Sequence, residues 1–192
     1  MIKTEKALGI LQKRLSSRRY IHSLAVAEIA RELAEMNRID AGKAYMAGLL
    51  HDYARGLSGS DLLKIASDNN LMLEEVERLA PDLLHAKIGA FLLEKELGLE
   101  DAEMLQAVAF HTLGHEKMTE LDKVIYIADM IEPGRDYPGI ERLKCLAFRS
   151  LDEGVLFGLD ITIRHCIERR RLIHPQSIRA RNAFLLQTGY SC

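Results

Sequence analysis

The sequence has no tryptophan, only four prolines, three cysteines and almost no net charge. Each shortage excludes something. Cys145, Cys166 and Cys192 are odd in number, far apart and without a CxxC spacing. They read as reduced thiols of a cytoplasmic protein, not as a disulfide framework or a zinc-thiolate site. A net charge of −2 supplies no basic field of the kind that draws nucleic acid, so no nucleic-acid partner is expected. The local clusters Arg18-Arg19 and Arg169-Arg170-Arg171 read as solvated helix faces or ends. No run approaches the roughly 18 apolar residues of a membrane span, and MIKTEKALGILQKRL lacks the apolar core of a signal peptide. A cytoplasmic protein without a membrane partner is expected. Motifs are missing too. There is no HExxH, no GxxxxGK[ST], no GxGxxG and no GxSxG. Zincin proteases, P-loop and dinucleotide-binding folds and serine hydrolases with a nucleophile elbow therefore have no support.

What is present is helical periodicity almost everywhere. The chain has 192 residues, 48% of them hydrophobic and 28% charged, enough for one domain over 1–192 with a sizeable core. The patterning predicts helices over 3–15, 20–37, 40–54, 59–69, 73–79, 84–97, 101–112, 119–131, 140–150, 152–171 and 175–187. Breaks fall at Gly56, Asn69-Asn70, Pro81, Gly98, Gly114, Pro133–Pro138 and Pro175, the last suited to a first helical turn. The fold class is all-α.

Six polar residues stand on the apolar stripes of these helices. His22 lies four before Val26 on the stripe Val26, Ile29, Leu33, Met36. Ala47 leads to His51, and Asp52 follows at once. His85 leads into Ile88 and Leu92; Met104, Ala107 and Val108 end on His111; Leu121 and Ile125 continue onto Asp129. One such histidine is ordinary in a core. Six residues on five helices are different, because an unpaired buried polar group costs about 1–3 kcal/mol and a carboxylate more. No lysine or arginine is expected to hold an inward position beside Asp52 or Asp129. Imidazoles and carboxylates around a divalent metal satisfy the whole set, with iron, manganese, zinc, cobalt and nickel all compatible. Arg19, Arg55, Lys87 and Arg135 are the cations expected to steer phosphate. Tyr137 either stacks on a base or caps the core. His115 reads as a loop residue, His165 as structural, and IHPQSIRARN as a helix start with a basic solvated face.

The order H…HD…D, in RRYIHS (18–23), AGLLHDYAR (47–55), LLHAKIGA (83–90), HTLGH (111–115) and KVIYIADMIEPGRDYPGI (123–140), resembles the HD-domain metal-dependent phosphohydrolases, and within them the YqeK-type subfamily. The resemblance covers roughly residues 5–190. It implies an HD-domain helical bundle and symmetrical hydrolysis of diadenosine tetraphosphate to two ADP by metal-activated water, with iron as the cofactor. It implies that His22, His51, Asp52 and Asp129 are the metal ligands. Asp52 is also expected to be catalytic and could bridge two ions. His85 and His111 are then catalytic groups beside them, on a second metal or on the substrate phosphates. Thr112, Gly114, Arg135 and Tyr137 are assigned to nucleotide contact, and Arg55 replaces the lysine of the family pattern. The expected partner is a small nucleotide, and a homodimer is compatible with the long apolar helices. Two other readings stay open: an HD enzyme acting on a nucleoside monophosphate or guanosine polyphosphate, and a non-catalytic nucleotide-sensing module.

Overall fold

A computed structural model describes residues 3–189; Cys192 lies outside them. Among the described residues the regular structure is helical, with no strand. The chain runs through α1 (Thr4–Arg14), α2 (Ser17–Met36), α3 (Ala41–Leu50), α4 (Gly59–Asp68), α5 (Glu75–Leu79), α6 (Leu84–Leu97), α7 (Ala102–Phe110), α8 (Glu120–Ile131), α9 (Ile140–Arg149), α10 (Leu151–Glu168) and α11 (Pro175–Thr188). A 3₁₀ turn, Pro81–Leu83, leads into α6.

Short polar side chains take up the orphan amides where helices start. Ser16 accepts from the Arg19 N–H, Asp40 from Lys43 and Asp101 from Met104. Ser58 with Asp61, and Thr119 with Asp122, close reciprocal capping boxes on α4 and α8. His174 caps α11: its Nδ1 accepts from the Gln176 N–H at 3.1 Å, just before Pro175 in the first turn.

The centre of the bundle is α8. Every residue from Leu121 to Ala128 is buried, and α2, α3, α7, α9 and α10 pack around it. A helix covered on most sides belongs to the middle of a fold. Its buried Lys123 is paired with Asp152 at 2.6 Å, and Asp122 accepts from Gln106 and Thr119.

The approach of α3 to α2 matters most for the site. A Cβ added to Gly48 would stand 3.0 Å from Ala27 Cα and 3.2 Å from the Val26 carbonyl. The missing side chain lets the two backbones approach this closely, and it seats His51, three residues on, beside His22. On α2 the stripe residues Val26 and Leu33 are fully buried, whereas Met36 is exposed at the helix end, where no neighbour covers it. The helix expected over 40–54 stops at Leu50. Beyond it the chain tightens, with Tyr53 N–H bonded to Leu50 O at 3.0 Å and Arg55 N–H to Asp52 O at 2.8 Å.

Candidate metal centre

Five helices bring the six polar residues together. His22 sits in the second turn of α2 and Asp129 in the last turn of α8. His51 and His111 close α3 and α7 at their C-terminal ends, Asp52 follows His51, and His85 is the second residue of α6. His22 Nε2 lies 3.2 Å from His51 Nε2 and 3.1 Å from Asp129 Oδ1. His85 Nε2 lies 3.2 Å from His111 Nε2. Asp52 stands between these pairs. Its Oδ2 is 3.6 Å from His51 Nε2 and 3.8 Å from His22 Nε2; its Oδ1 is 3.4 Å from His85 Nε2 and 3.8 Å from His111 Nε2. His22, His51 and Asp129 form one group able to hold a metal ion, and His51, Asp52 and His111 form another.

The other ring nitrogens show why a cation fits. His51 Nδ1 meets Gly48 O at 2.7 Å, His85 Nδ1 meets Asp82 O at 2.6 Å, and His111 Nδ1 meets Val108 O at 2.7 Å. In each case the partner is the carbonyl three residues back. For His51 and His111 it is one of the carbonyls that a helix end leaves without a partner. A carbonyl only accepts, so each Nδ1 carries the hydrogen and each Nε2 of a neutral ring is a bare lone pair. His85 and His111 therefore aim two lone pairs at each other, with no hydrogen to share. A metal at about 2.1 Å from each, at tetrahedral or octahedral angles, would set the two nitrogens about 3.0–3.4 Å apart. The 3.2 Å separation is in that interval. The donors are nitrogen and oxygen, without sulfur, which suits the borderline divalent metals.

The protonation states of His85, His111, Asp52 and Asp129 agree with this geometry, whereas His22 in the metal-free site leans toward its charged form. Burial pulls His111 down to about 3, so its ring is neutral at pH 7. Burial also lowers His85; Asp52 pulls the other way, and the Arg55 charge reinforces burial. Burial works against the charge on His22, but its bond to Asp129 and the nearby Glu132 outweigh it, and the value rises. Burial would raise Asp52, yet the imidazoles of His51, His111 and His85 hold it below the usual range. Asp129 lies well below it, because His22, His51 and Arg135 overcome its burial. Ionised carboxylates and neutral imidazoles are the forms that bind a metal.

The sequence expectation that no arginine reaches the two carboxylates is corrected here. Arg19 Nη1 lies 3.0 Å from Asp52 Oδ2. Arg135 pairs with the Asp129 carboxylate and donates from Nε to the Asp129 carbonyl at 2.9 Å. Apolar stripes do not reveal such long side chains. Arg19 is one turn before His22 on the same face of α2, and Arg135 folds back through a turn closed by its N–H to Glu132 O at 2.9 Å. The side chains of Arg19 and Arg135 are 35% and 36% exposed. Both guanidinium groups thus border solvent, and a cavity of about 300 Å³ opens between them beside His22.

Thr112 joins the cluster, its Oγ1 3.2 Å from His85 Nε2. Gly114 does not. Its φ of +68° turns the chain beneath α10 and α11, where an added Cβ would meet Leu159 at 3.3 Å and Ala180 at 3.4 Å. The Tyr137 hydroxyl donates to Met130 O at 2.8 Å, which pins the loop after α8. Lys87 is held by Glu77 at 2.7 Å. His115 stacks on Phe110 in its loop. On α11, Arg179 pairs with Glu74 and Glu116, and Arg181 pairs with Asp160, the solvated face expected there.

Glu132 is the functional residue the sequence reading missed. It is buried, and its Oε1 accepts from His22 Nδ1 at 3.1 Å while Oε2 accepts from the Gly134 N–H at 2.5 Å. It thereby fixes the His22 ring with Nε2 toward the cluster. The signal was present: Glu132 follows Asp129 by three, one turn further on the same side of the helix.

The HD domain family model matches residues 19–134. The chain belongs to the HD-domain family. It is 34% identical over 182 residues to the protein named bis(5'-nucleosyl)-tetraphosphatase, symmetrical, of Halalkalibacterium halodurans, covering 95% of this chain and 97% of that one. It is 33% identical to the protein of the same name from Bacillus subtilis, covering 93% and 95%. A crystal structure from Clostridium acetobutylicum, described as a predicted HD superfamily hydrolase involved in NAD metabolism, is 36% identical and superposes with a TM-score of 0.94 over 97% of this chain and 99% of that one.

Proposed function

We propose that the chain is a metal-dependent hydrolase that splits diadenosine tetraphosphate at its central bridge and releases two ADP. The observation that carries this reading is the set of bare His51, His85 and His111 nitrogens around Asp52, with His22 and Asp129 beside them, which fits a divalent cation. The name shared by relatives matched over nearly their full length supports the substrate. We assign His22, His51, Asp52 and Asp129 as ligands of the principal ion. Asp52 turns its second oxygen toward His85 and His111, and these three residues would hold a second ion if one binds. Iron is the proposed metal, and the cytoplasm the proposed location, in keeping with the free thiols of Cys145 and Cys166.

A bound divalent ion supplies a water of lowered pKa and neutralises charge on the phosphate oxygens. The protein's own groups do the rest. His85 and His111 hold their protons on Nδ1, against backbone carbonyls, so they act as ligands or acceptors at Nε2 and not as acids there. Donation to the phosphates falls to Arg19 and Arg135, whose forked guanidinium groups match phosphate oxygens. Hydrolysis at the central bridge puts the oxygen of water on one phosphorus and leaves the bridging oxygen on the other. Both halves are then ADP.

Metal-loaded protein incubated with diadenosine tetraphosphate and resolved by ion-exchange chromatography is expected to yield ADP alone. AMP with ATP, or no turnover with iron, manganese or cobalt, overturns the proposal.

A further inference from the structure

The loop after α8 divides two cavities, and Arg135 lines both. The smaller one lies on the α2 side. The other, about 470 Å³, lies between the loop and α10. It is within the size range of small-ligand sites, about 300–1,000 Å³. Met130, Tyr137, Pro138 and Ile161 supply its apolar wall, and the exposed Arg164, His165 and Glu168 supply its polar rim. An aromatic ring and flat aliphatic surfaces beside exposed donors and an exposed carboxylate are what a purine nucleoside requires: a face to stack on and partners for its edge and sugar hydroxyls. Arg135 stands at the mouth with its guanidinium on Asp129, so a nucleoside in this cavity would hold its first phosphates at the metal cluster.

We infer that the α10 cavity is a nucleoside subsite for one end of the dinucleotide, with Ile161, Arg164 and Glu168 as its specificity residues. This rests on the proposed hydrolase activity. It extends the site from the HD segment, residues 19–134, to a helix outside it. A single arginine between two cavities also suits a ligand with a nucleoside at each end of one polyphosphate. Tyr137 keeps its hydroxyl on Met130 O, which fixes the ring as a wall and frees its face for stacking.

The test uses metal-loaded full-length protein with ADP and inorganic pyrophosphate as probes in calorimetry, and diadenosine tetraphosphate in kinetics. Ile161→Trp fills the cavity, and Glu168→Ala changes only its exposed rim. Ile161→Trp is expected to weaken ADP binding by about tenfold to a hundredfold, the scale of one base-stacking contact. Pyrophosphate binding should change less than twofold. Glu168→Ala should weaken ADP binding severalfold, again sparing pyrophosphate, and for both variants KM for the dinucleotide should rise with kcat within threefold. Wild-type ADP affinity and KM in Glu168→Ala, together with unchanged or non-selectively reduced binding in Ile161→Trp, overturn the subsite while leaving the hydrolase standing. Selective loss of ADP binding in a protein that does not cleave the dinucleotide supports the subsite and sinks the activity instead.

Discussion

Removing the Glu132 carboxylate should loosen the metal without unfolding the bundle. In Glu132→Ala, His22 Nδ1 loses its acceptor, at 3.1 Å, and the Gly134 N–H loses its acceptor at 2.5 Å. Leaving a buried donor unmatched costs about 1–3 kcal/mol. The ring is then free to rotate, so Nε2 no longer points at His51 and Asp129. Residues that orient a metal-binding histidine typically contribute 10–100-fold in metal affinity, or about 1.4–2.8 kcal/mol at 1.4 kcal/mol per decade. Glutamine has one accepting oxygen for two donors, so Glu132→Gln should retain part of the affinity and fall between wild type and alanine. Calorimetric titration of chelator-stripped protein with manganese reads the affinity directly, and circular dichroism checks the helix content. Wild-type manganese affinity in Glu132→Ala, with an intact fold, would refute the orienting role.

Asp52→Ala removes an oxygen from each side of the cluster and leaves Arg19 without its partner. Turnover should fall by more than the roughly hundredfold limit of an orienting residue, with reduced metal content by atomic absorption; an active, metal-replete variant would exclude Asp52 as a ligand. Metal-free protein should lose stability in acid. Unfolded His111 takes up a proton near its ordinary 6.5, whereas folded His111 does so only at about 3, so between these values the unfolded chain holds the extra proton and folding weakens by about 1.4 kcal/mol per pH unit. His85, also lowered, adds to the loss. His22 is raised, so its stabilisation is complete below 6.5 and fades only as pH rises through its folded value, outside this window. His174 is lowered as well, so three histidines set the sign; thermal melts from pH 6.5 to 5 should move downward, and a flat profile contradicts the assigned states. Gly48→Ala forces a Cβ to within 3.0 Å of the α2 backbone. It should cost about 1–3 kcal/mol by overpacking, read as a lower urea midpoint, and should weaken metal binding by shifting His51; an unaltered midpoint would refute the tight approach.

The helices were largely legible because α2, α7 and α8 repeat apolar residues every three or four positions and open on capping residues such as Ser16, Asp101 and Thr119. The cluster was legible for the same reason: His22, His51, His85, His111 and Asp129 interrupt apolar stripes at helix ends that converge. What a stripe cannot show is reach. Arg19 and Arg135 arrive at the carboxylates on long side chains, and nothing in the apolar periodicity records that. Gly114 was associated with the nucleotide because it sits in the HTLGH segment, yet its left-handed backbone serves the packing of α10 and α11. The α10 cavity was not foreseen at all, since it comes from two segments separated in sequence, the 135–138 loop and the 161–168 face.

Three histidines tied to the carbonyl three residues behind them have a consequence for which metal the protein carries in a cell. Their orientation is set by main-chain geometry and so costs the incoming ion little rearrangement. A rigid array of imidazole and carboxylate donors follows the general affinity order of the first-row divalent ions and has little means of refusing one of them. The ion bound would then be governed by the supply of metals around the protein. The same polypeptide produced in media enriched in manganese, iron or zinc should emerge with different occupants and different specific activities, a form of environmental tuning that leaves the gene untouched.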